Sequence, residues 1–410
     1  MGDLSGHVVI VGAGHAGGSA AALLRQYGWK GPITLIGAEP VAPYQRPPLS
    51  KAWLQGEGDL QSLLLRAADF YLSQGVALLL STDVTGVDRR AGTVVLASGK
   101  TIAYDRLILA LGAYARSLPV PGHDLAGVFR LRTVDDANAL KAALRPGARI
   151  AIIGAGYIGL EVAASTRLLG VDVVVIEREA RVLARVASTT LSEYFHRRHA
   201  EAGVCIMLDA AVEAFDGHAG RVSSVRLADG AAVPCDAVLV GVGAAPNDAL
   251  ACAAGLDCND GIIVDANART SDPSIHAIGD CTRRPLPLYQ RTGRLESVPN
   301  ALEQAKQAAA DLSGRAPPPP EVPWFWSDQY DTRLQIAGLP FDVEETAIRG
   351  DPTAGSFAIF HLTRDGTVQA VEAVNAPTDF IAGRQMIARR KPVVAASLSD
   401  VSCSLHQLVG

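Results

Sequence analysis

Two stretches of the chain share one polarity pattern: a short β-branched apolar run, a glycine cluster, then an alanine-rich amphipathic run. The first is His7-Val8-Val9-Ile10-Val11 followed by Gly12-Ala13-Gly14-His15-Ala16-Gly17. The second is Ile150-Ala151-Ile152-Ile153 followed by Gly154-Ala155-Gly156-Tyr157-Ile158-Gly159-Leu160-Glu161. An unbroken apolar run of this length predicts a strand buried on both faces, and the change of period after the glycines predicts a helix. Each pattern then continues as a βαβ unit. Helix Ser19–Tyr27 leads to strand Ile33–Ile36 in the first, and Val171–Ile176 is the second strand of the other. Further strands are predicted at Val76–Leu80, Leu107–Leu111, Ala237–Val242 and Asp272–Asp280. Thr93–Ser98 with Lys100–Tyr104, and Val222–Leu227 with Ala232–Val233, read as hairpins. A helix is predicted over Ala301–Leu312, and another opens at Arg132–Asp136 with acids in its first turn.

The pattern changes after Pro317–Pro320, which reads as a linker. Trp324-Phe325-Trp326 opens a region where Leu334–Ala337, Phe357–Leu362 and Val368–Val374 alternate like antiparallel strands. Arg364-Asp365-Gly366 forms a turn there, and Ala382–Arg390 a basic helix. The fold class predicted is α/β, with two Rossmann-like dinucleotide-binding domains plus a C-terminal α+β domain. Pro119, Pro121 and Gly122 mark a boundary. The expected domains are 1–115 with 246–320, then 116–245, then 321–410.

A length of 410 residues suits two or three domains, and 49% hydrophobic with 19% charged residues is globular. The net charge of −5 gives no nucleic-acid footprint. Met1-Gly2-Asp3-Leu4 has no basic lead, so no signal peptide is expected. The apolar stretch from Val8 to Leu24 is broken by glycines and His15, so no membrane span is expected there. The six cysteines form no C-x-x-C pair, and Cys252 and Cys258, six apart, have no nearby histidine, so no metal is expected; the thiols suit a reducing cytoplasm.

With 40 glycines, chance alone gives about 0.4 matches to G-x-G-x-x-G, so a lone match says little. Two matches, each between a strand and a helix, say much more. Gly12 and Gly154 serve the tight turn, Gly14 and Gly156 the close approach of a pyrophosphate, Gly17 and Gly159 the helix–strand packing. The helix N-terminus adds free N–H groups and partial positive charge. Glu177 ends the second strand of the second unit, about 20 residues past Gly156, where a carboxylate binds ribose hydroxyls and repels a 2′-phosphate. NADH is therefore expected rather than NADPH. In the first unit the matching carboxylate arrives late, as Glu39 after Ala38. The segment Pro43-Tyr44-Gln45-Arg46-Pro47-Pro48-Leu49-Ser50-Lys51 is expected to be held extended by its prolines. Ser50 would cap the next helix, and Arg46 and Lys51 would face an electron-rich cofactor. The strand ends near Val84, at Ala110 with Gly112, and at Gly243 are further candidate cofactor contacts. Asp280 after Gly279 suits a sugar or ribitol hydroxyl, and the helix start around Val298 suits an anion.

These residues together resemble the FAD-dependent, NADH-using ferredoxin reductases that serve bacterial haem monooxygenases and ring-hydroxylating dioxygenases, the putidaredoxin-reductase type. The resemblance rests on Arg46-Pro47-Pro48-Leu49-Ser50-Lys51, Gly156–Glu161, Ile278-Gly279-Asp280-Cys281, Glu296–Gln304 and Pro323-Trp324-Phe325-Trp326-Ser327-Asp328-Gln329. It implies the glutathione reductase fold, with FAD on the first glycine turn (Ala16 included) and NADH on the second. Lys51, Val84, Arg132, Asp280 and Val298 match the family's FAD contacts. Tyr157 and Ile158 join the NADH set, with Tyr157 over the nicotinamide pocket or packed as a helix aromatic. The resemblance further implies an ion pair between Lys51 and Glu161. Glu161 would orient the carboxamide, and Lys51 would stabilise negative charge on the flavin side; a purely structural salt bridge is the alternative. Trp326 would lie near the flavin edge or serve as a core tryptophan. The disulfide-using cousins carry a cysteine pair beside the flavin, whereas Pro43–Lys51 has no cysteine, so thiol–disulfide chemistry is not expected.

The implied activity is that of a ferredoxin–NAD(+) reductase. It passes electrons from NADH through FAD to a [2Fe–2S] ferredoxin, which Arg294, Arg384, Arg389, Arg390 and Lys391 would steer. The same scaffold also serves NADH oxidases and rubredoxin reductases, and a redox-sensing NADH-binding protein like apoptosis-inducing factor. A monomer or weak dimer with no nucleic-acid or membrane partner is expected.

Overall fold

The computed structural model describes residues 4–67 and 69–409; Met1-Gly2-Asp3 of the N-terminal reading lies outside the described residues. The chain divides into two compact units.

The first unit holds Met1–Gln45, Asp59–Tyr114 and Ala245–Phe325. Its central sheet is parallel, in the order Ile275–Ala277, Arg106–Leu109, Val8–Val11, Ile33–Ile36, Val76–Leu79. Val8–Val11 is buried at every position, as a strand covered on both faces requires. Its partners on either side come later in the chain, so the strand order reverses at Val8–Val11. Val11 pairs with both Ile36 and Leu109, so the glycine turn leaves the sheet at its C-terminal edge. That is the crevice where open α/β sheets bind nucleotides. Helix His15–Gln26 follows, starting four residues earlier than the apolar pattern suggested. It buries Ala16, Ala20, Ala21 and Leu24 in one core with Ala301, Ala305, Ala308 and Ala309 of helix Val298–Leu312. Spacing at i, i+4 and i+8 puts these small side chains on one face.

The second unit holds Arg46–Gly58, Ala115–Ala244 and Trp326–Gly410. Its parallel sheet repeats the arrangement, in the order Cys205–Met207, Asp172–Ile176, Arg149–Ile153, Ala237–Val240, Val128–Phe129. The order reverses at Arg149–Ile153, so the second glycine turn also lies at a switch point. The C-terminal part is an antiparallel sheet, in the order Trp324–Gln329, Thr332–Gly338, Val368–Val374, Ser356–Leu362, Glu345–Asp351. Val368–Val374 is buried at all seven positions instead of alternating. Helix Pro377–Arg389 covers one face, with Gly383 seated on Val371. Helix Thr189–Glu201 lies against the same sheet, where the Tyr194 and Phe357 rings meet edge-on at 5.3 Å. Among the described residues, no helix is long and apolar enough to cross a membrane.

Segment 46–58 falls in the second unit although its sequence neighbours on both sides fall in the first. Pro47–Ser50 forms a 3-10 turn rather than the expected extended stretch, and Ser50 makes no helix cap. Tertiary bonds explain the difference. Trp53 Nε1 donates to Asn138 Oδ1 (2.9 Å), Gln55 Nε2 to Ser165 Oγ (3.2 Å), and Ser165 Oγ to the Ser50 carbonyl (2.8 Å).

Candidate functional site

The two glycine turns are built alike, and each glycine has a distinct physical reason. Gly12 and Gly154 have φ of +110° and +101°, which L side chains avoid. A Cβ on Gly17 would come within 1.9 Å of the Gly12 carbonyl oxygen, and one on Gly159 within 2.1 Å of the Gly154 oxygen. The helix therefore sits directly on its own turn. A Cβ on Gly14 or Gly156 would meet nothing within 4 Å. Each middle glycine borders open space at a helix N-terminus, a cradle that a side chain would fill and that fits a pyrophosphate.

Around the first turn, the Ala110 carbonyl lies against Gly12, and Gly279 packs on the Ala16 methyl. Gly112 and Gly279 both have positive φ, at +67° and +82°. Gln304 Oε1 accepts from the Gly279 N–H and from Thr282 Oγ1, at 2.8 and 2.9 Å, which fixes the turn carrying Asp280 to helix Val298–Leu312. Ser297 caps that helix by accepting from the Asn300 N–H, which places Val298 at its first position. The Gln304 Nε2 and His15 Nδ1 atoms are buried and have no hydrogen-bond partner among the described residues, as suits a polar ligand at this turn. Burial pushes the His15 imidazole below its usual range, while the charge of Asp280 pulls it back up. His15 was visible inside the glycine motif but carried no sequence signal of its own. Glu39 Oε2 accepts from Tyr44 OH at 2.5 Å, next to an exposed Ala38. Val84 begins the strand Val84–Asp88 and is half-buried.

At the second turn, Glu177 is held by two backbone donors: Ala155 N–H to Oε2 (2.7 Å) and Glu179 N–H to Oε1 (3.0 Å). Its remaining lone pairs are available to ribose hydroxyls. Arg178 points away to Glu179 (3.1 Å) and is largely exposed, so it does not neutralise Glu177. Tyr157 OH donates to the Val186 carbonyl at 3.2 Å, and burial first, then the charge of Glu372, raises its phenol. Ile158 is exposed on the same helix start, and Gly243 has φ of +107°.

Helix Tyr157–Leu168 carries Glu161 into the interior of the second unit, where it is 3% exposed. Lys51 Nζ lies 2.6 Å from its Oε2, giving the ion pair that the resemblance implies. Lys51 also donates to the Pro47 carbonyl at 3.1 Å, so the 3-10 turn aims the ammonium. Ser50 Oγ donates to the same Oε2 at 2.5 Å, and Ser327 Oγ to Oε1 at 2.7 Å. Both serines lay inside the motifs quoted above; Ser50 was read only as a helix cap, and Ser327 was not singled out. Arg46 Nη1 donates to the Arg132 carbonyl at 2.6 Å. The candidate FAD contacts thus divide: Arg46, Lys51 and Arg132 stand in the second unit, the others in the first. Trp326 is half-buried on the strand that carries Ser327.

Of the steering cations, Arg294 does not present a free charge. Its guanidinium is 13% exposed and pairs with Asp260 at 3.3 Å and with Glu296. Arg389, Arg390 and Lys391 lie at the C-terminal end of helix Pro377–Arg389, with Arg384 within it. All six cysteines are free thiols, and burial raises Cys281, beside Asp280, to about 12. No group of three His, Cys, Asp or Glu among the described residues could hold a metal.

Residues 6–305 match the pyridine nucleotide-disulphide oxidoreductase family and residues 324–409 the reductase C-terminal domain. The chain is 53% identical to "Probable ferredoxin reductase CtmF" of Castellaniella defragrans over 394 residues, 96% of each chain. It is 42% identical to putidaredoxin reductase CamA of Pseudomonas putida over 408 residues, covering 98% of this chain and 96% of that one. The reductase in the crystal structure of the covalent putidaredoxin reductase–putidaredoxin complex superposes with a TM-score of 0.96 at 41% identity, over 98% of both chains. Matches of this length and identity, on two glycine turns and a cysteine-free Pro43–Lys51, place the chain in the pyridine nucleotide-disulphide oxidoreductase family, among its ferredoxin reductases with a reductase C-terminal domain.

Proposed function

We propose that the chain is an NADH-dependent reductase of a [2Fe–2S] ferredoxin that in turn serves a haem monooxygenase or a ring-hydroxylating dioxygenase. Residues 1–115 and 246–320 form the FAD-binding domain, 116–245 the NADH-binding domain and 321–410 the C-terminal α+β domain. The observation that carries this reading is the presence of two open glycine cradles in one chain. FAD, when bound, accepts a hydride from NADH and releases the electrons one at a time. The protein's part is placement and charge. Gly12, Gly14, Ala16 and Gly17 hold the FAD pyrophosphate. Glu39, Arg46, Val84, Ala110, Gly112, Arg132, Asp280 and Val298 complete its contacts. Gly154, Gly156, Tyr157, Ile158, Gly159 and Gly243 receive NADH, with Glu161 orienting the carboxamide. Lys51 supplies positive charge, and Trp326 shields the flavin edge. The free thiols suit the cytoplasm, and we expect a monomer or weak dimer.

Glu177 selects NADH, because a carboxylate already fixed by two N–H donors accepts from ribose hydroxyls and repels a phosphate. In Glu177→Ala, KM for NADH is expected to rise about tenfold, the loss of roughly 1.4 kcal/mol, while KM for NADPH falls. Steady-state kinetics with both nucleotides checks this, and an unchanged preference would remove Glu177 from the site.

The whole reading is tested with NADH, an acidic [2Fe–2S] ferredoxin and cytochrome c as reporter. Reduction of the reporter should require the ferredoxin and should fall as salt rises, since Arg384, Arg389, Arg390 and Lys391 steer by charge. Three outcomes count against it: rapid oxygen consumption without a partner (an oxidase), preference for a rubredoxin, or an NADH complex that air barely reoxidises (a redox sensor).

A further inference from the structure

A buried hydrogen-bonded chain leads away from Glu161 inside the second unit, through residues to which the proposed function gives no role. Glu161 Oε1 accepts from Ser327 Oγ at 2.7 Å, and Ser327 Oγ accepts from Gln329 Nε2 at 3.1 Å. Gln329 Oε1 lies 2.8 Å from His199 Nε2, and His199 Nδ1 lies 3.2 Å from Tyr330 OH. Glu161, Ser327, Gln329 and His199 are all 3% exposed or less. Tyr330 sits in the turn between two strands, under the Arg198 guanidinium at 5.1 Å, and Arg198 pairs with Asp331 at 2.7 Å.

The direction of this chain follows from donor chemistry. A carboxylate only accepts, so the single Ser327 proton is committed to Glu161. The Ser327 oxygen must then accept from the amide N–H of Gln329, which turns the Gln329 carbonyl toward His199. His199 therefore donates from Nε2. Burial pushes its pKa down to about 4, so the ring is neutral and carries one N–H, and Nδ1 accepts from Tyr330. Every bond from Tyr330 inward donates toward Glu161. The other oxygen, Oε2, is occupied by Lys51 and Ser50.

We propose that Ser327, Gln329 and His199 are positioning residues that hold Glu161 through a one-way relay whose direction is set by the charge on that carboxylate. The catalytic consequence rests on the proposed role of Glu161; the direction of the relay does not.

Glu161→Gln makes the test sharp. Lys51 and Ser50 both donate at the Oε2 position, so the new amide keeps its carbonyl there and its NH2 faces Ser327. Ser327 must now accept from it and donate to Gln329. The Gln329 amide turns over, its NH2 meets His199 Nε2, and the imidazole proton moves to Nδ1, where it donates to Tyr330. In FAD-loaded protein labelled with 15N and 13C in histidine, with the His199 signal assigned by its loss in His199→Gln, NMR should show the Nε2–H tautomer. In Glu161→Gln it should show Nδ1–H. The same tautomer in both proteins, or Nδ1–H without the substitution, overturns the relay. In stopped flow, Ser327→Ala and Gln329→Leu should each slow reduction by NADH about tenfold at nearly unchanged KM, and the double variant no further. A multiplicative loss in the double variant overturns the positioning role. If Glu161→Gln shows the tautomer change but reduces at the normal rate, the catalytic reading of Glu161 falls and the direction of the relay stands.

Discussion

Lys51→Met is expected to slow reduction of the bound flavin by NADH on the order of 100-fold or more, the scale of losing one charged donor aimed at a reacting centre. Methionine keeps the length and apolar volume of the lysine stem, so the change is close to a pure deletion of the ammonium. The ammonium donates to Glu161 Oε2 at 2.6 Å, to the Pro47 carbonyl at 3.1 Å and to Ser50 Oγ at 3.4 Å. Losing it leaves Glu161 with two hydroxyl donors, Ser50 and Ser327, in a site where the carboxylate is nearly inaccessible to water. Those donors satisfy the carboxylate's geometry but bring no positive charge. FAD content should change by less than about twofold, because the pyrophosphate cradle is made by the backbone of Gly12, Gly14 and Gly17, which the substitution leaves intact. The measurement is single-turnover reduction of the flavin absorbance alongside the flavin-to-protein ratio. Reduction at the normal rate in a fully loaded variant would reduce the Lys51–Glu161 pair to a structural salt bridge.

The parts of this site that were legible in the sequence are those where backbone sterics leave no choice. Gly12, Gly17, Gly154 and Gly159 are required by positive φ or by carbonyl oxygens that a Cβ would strike, and such requirements appear locally as letters in a row. The place of Glu177 was legible for a similar reason, since a strand of fixed rise carries it to the edge of the sheet beside the glycine turn, where it accepts from the Ala155 N–H. Parts set by tertiary contact were not legible. Segment 46–58 is flanked by first-unit residues, and its attachment to the second unit depends on side-chain bonds to Asn138, Glu161 and Ser165. The ion pair of Lys51 and Glu161 spans two distant stretches and came from resemblance, not from any period in the chain. His199 sits on the buried face of helix Thr189–Glu201 with Leu191, Tyr194 and Phe195, where a histidine reads as an ordinary interior side chain; its role appears only when Gln329 is placed beside it. The edge strand Glu345–Asp351 was missed because it is polar and mostly exposed, as a sheet edge that avoids further pairing should be.

The sharpest separation of the two nucleotide sites comes from the middle glycines. Gly14 and Gly156 have φ of −86° and −78°, which alanine adopts without strain, and a Cβ at either position meets no protein atom within 4 Å. Gly14→Ala and Gly156→Ala should therefore fold, with melting temperatures of the flavin-free proteins within a few degrees of the parent, the scale of less than about 1 kcal/mol. What the methyl group does occupy is the space a pyrophosphate needs. Gly14→Ala should retain less than about a tenth of the normal FAD, a loss of at least ~1.4 kcal/mol in binding, and no NADH-dependent activity. Gly156→Ala should keep its flavin and show a KM for NADH raised about 30-fold, near 2 kcal/mol. Gly159→Ala is the contrasting control: its methyl would lie 2.1 Å from the Gly154 carbonyl oxygen, so the helix must move off its own turn and soluble yield should collapse. Full flavin content in Gly14→Ala, or loss of flavin instead of NADH affinity in Gly156→Ala, would reverse or remove the assignment of the two turns. The contrast follows from which glycines face protein and which face open space, since only the second kind can be replaced without disturbing the fold.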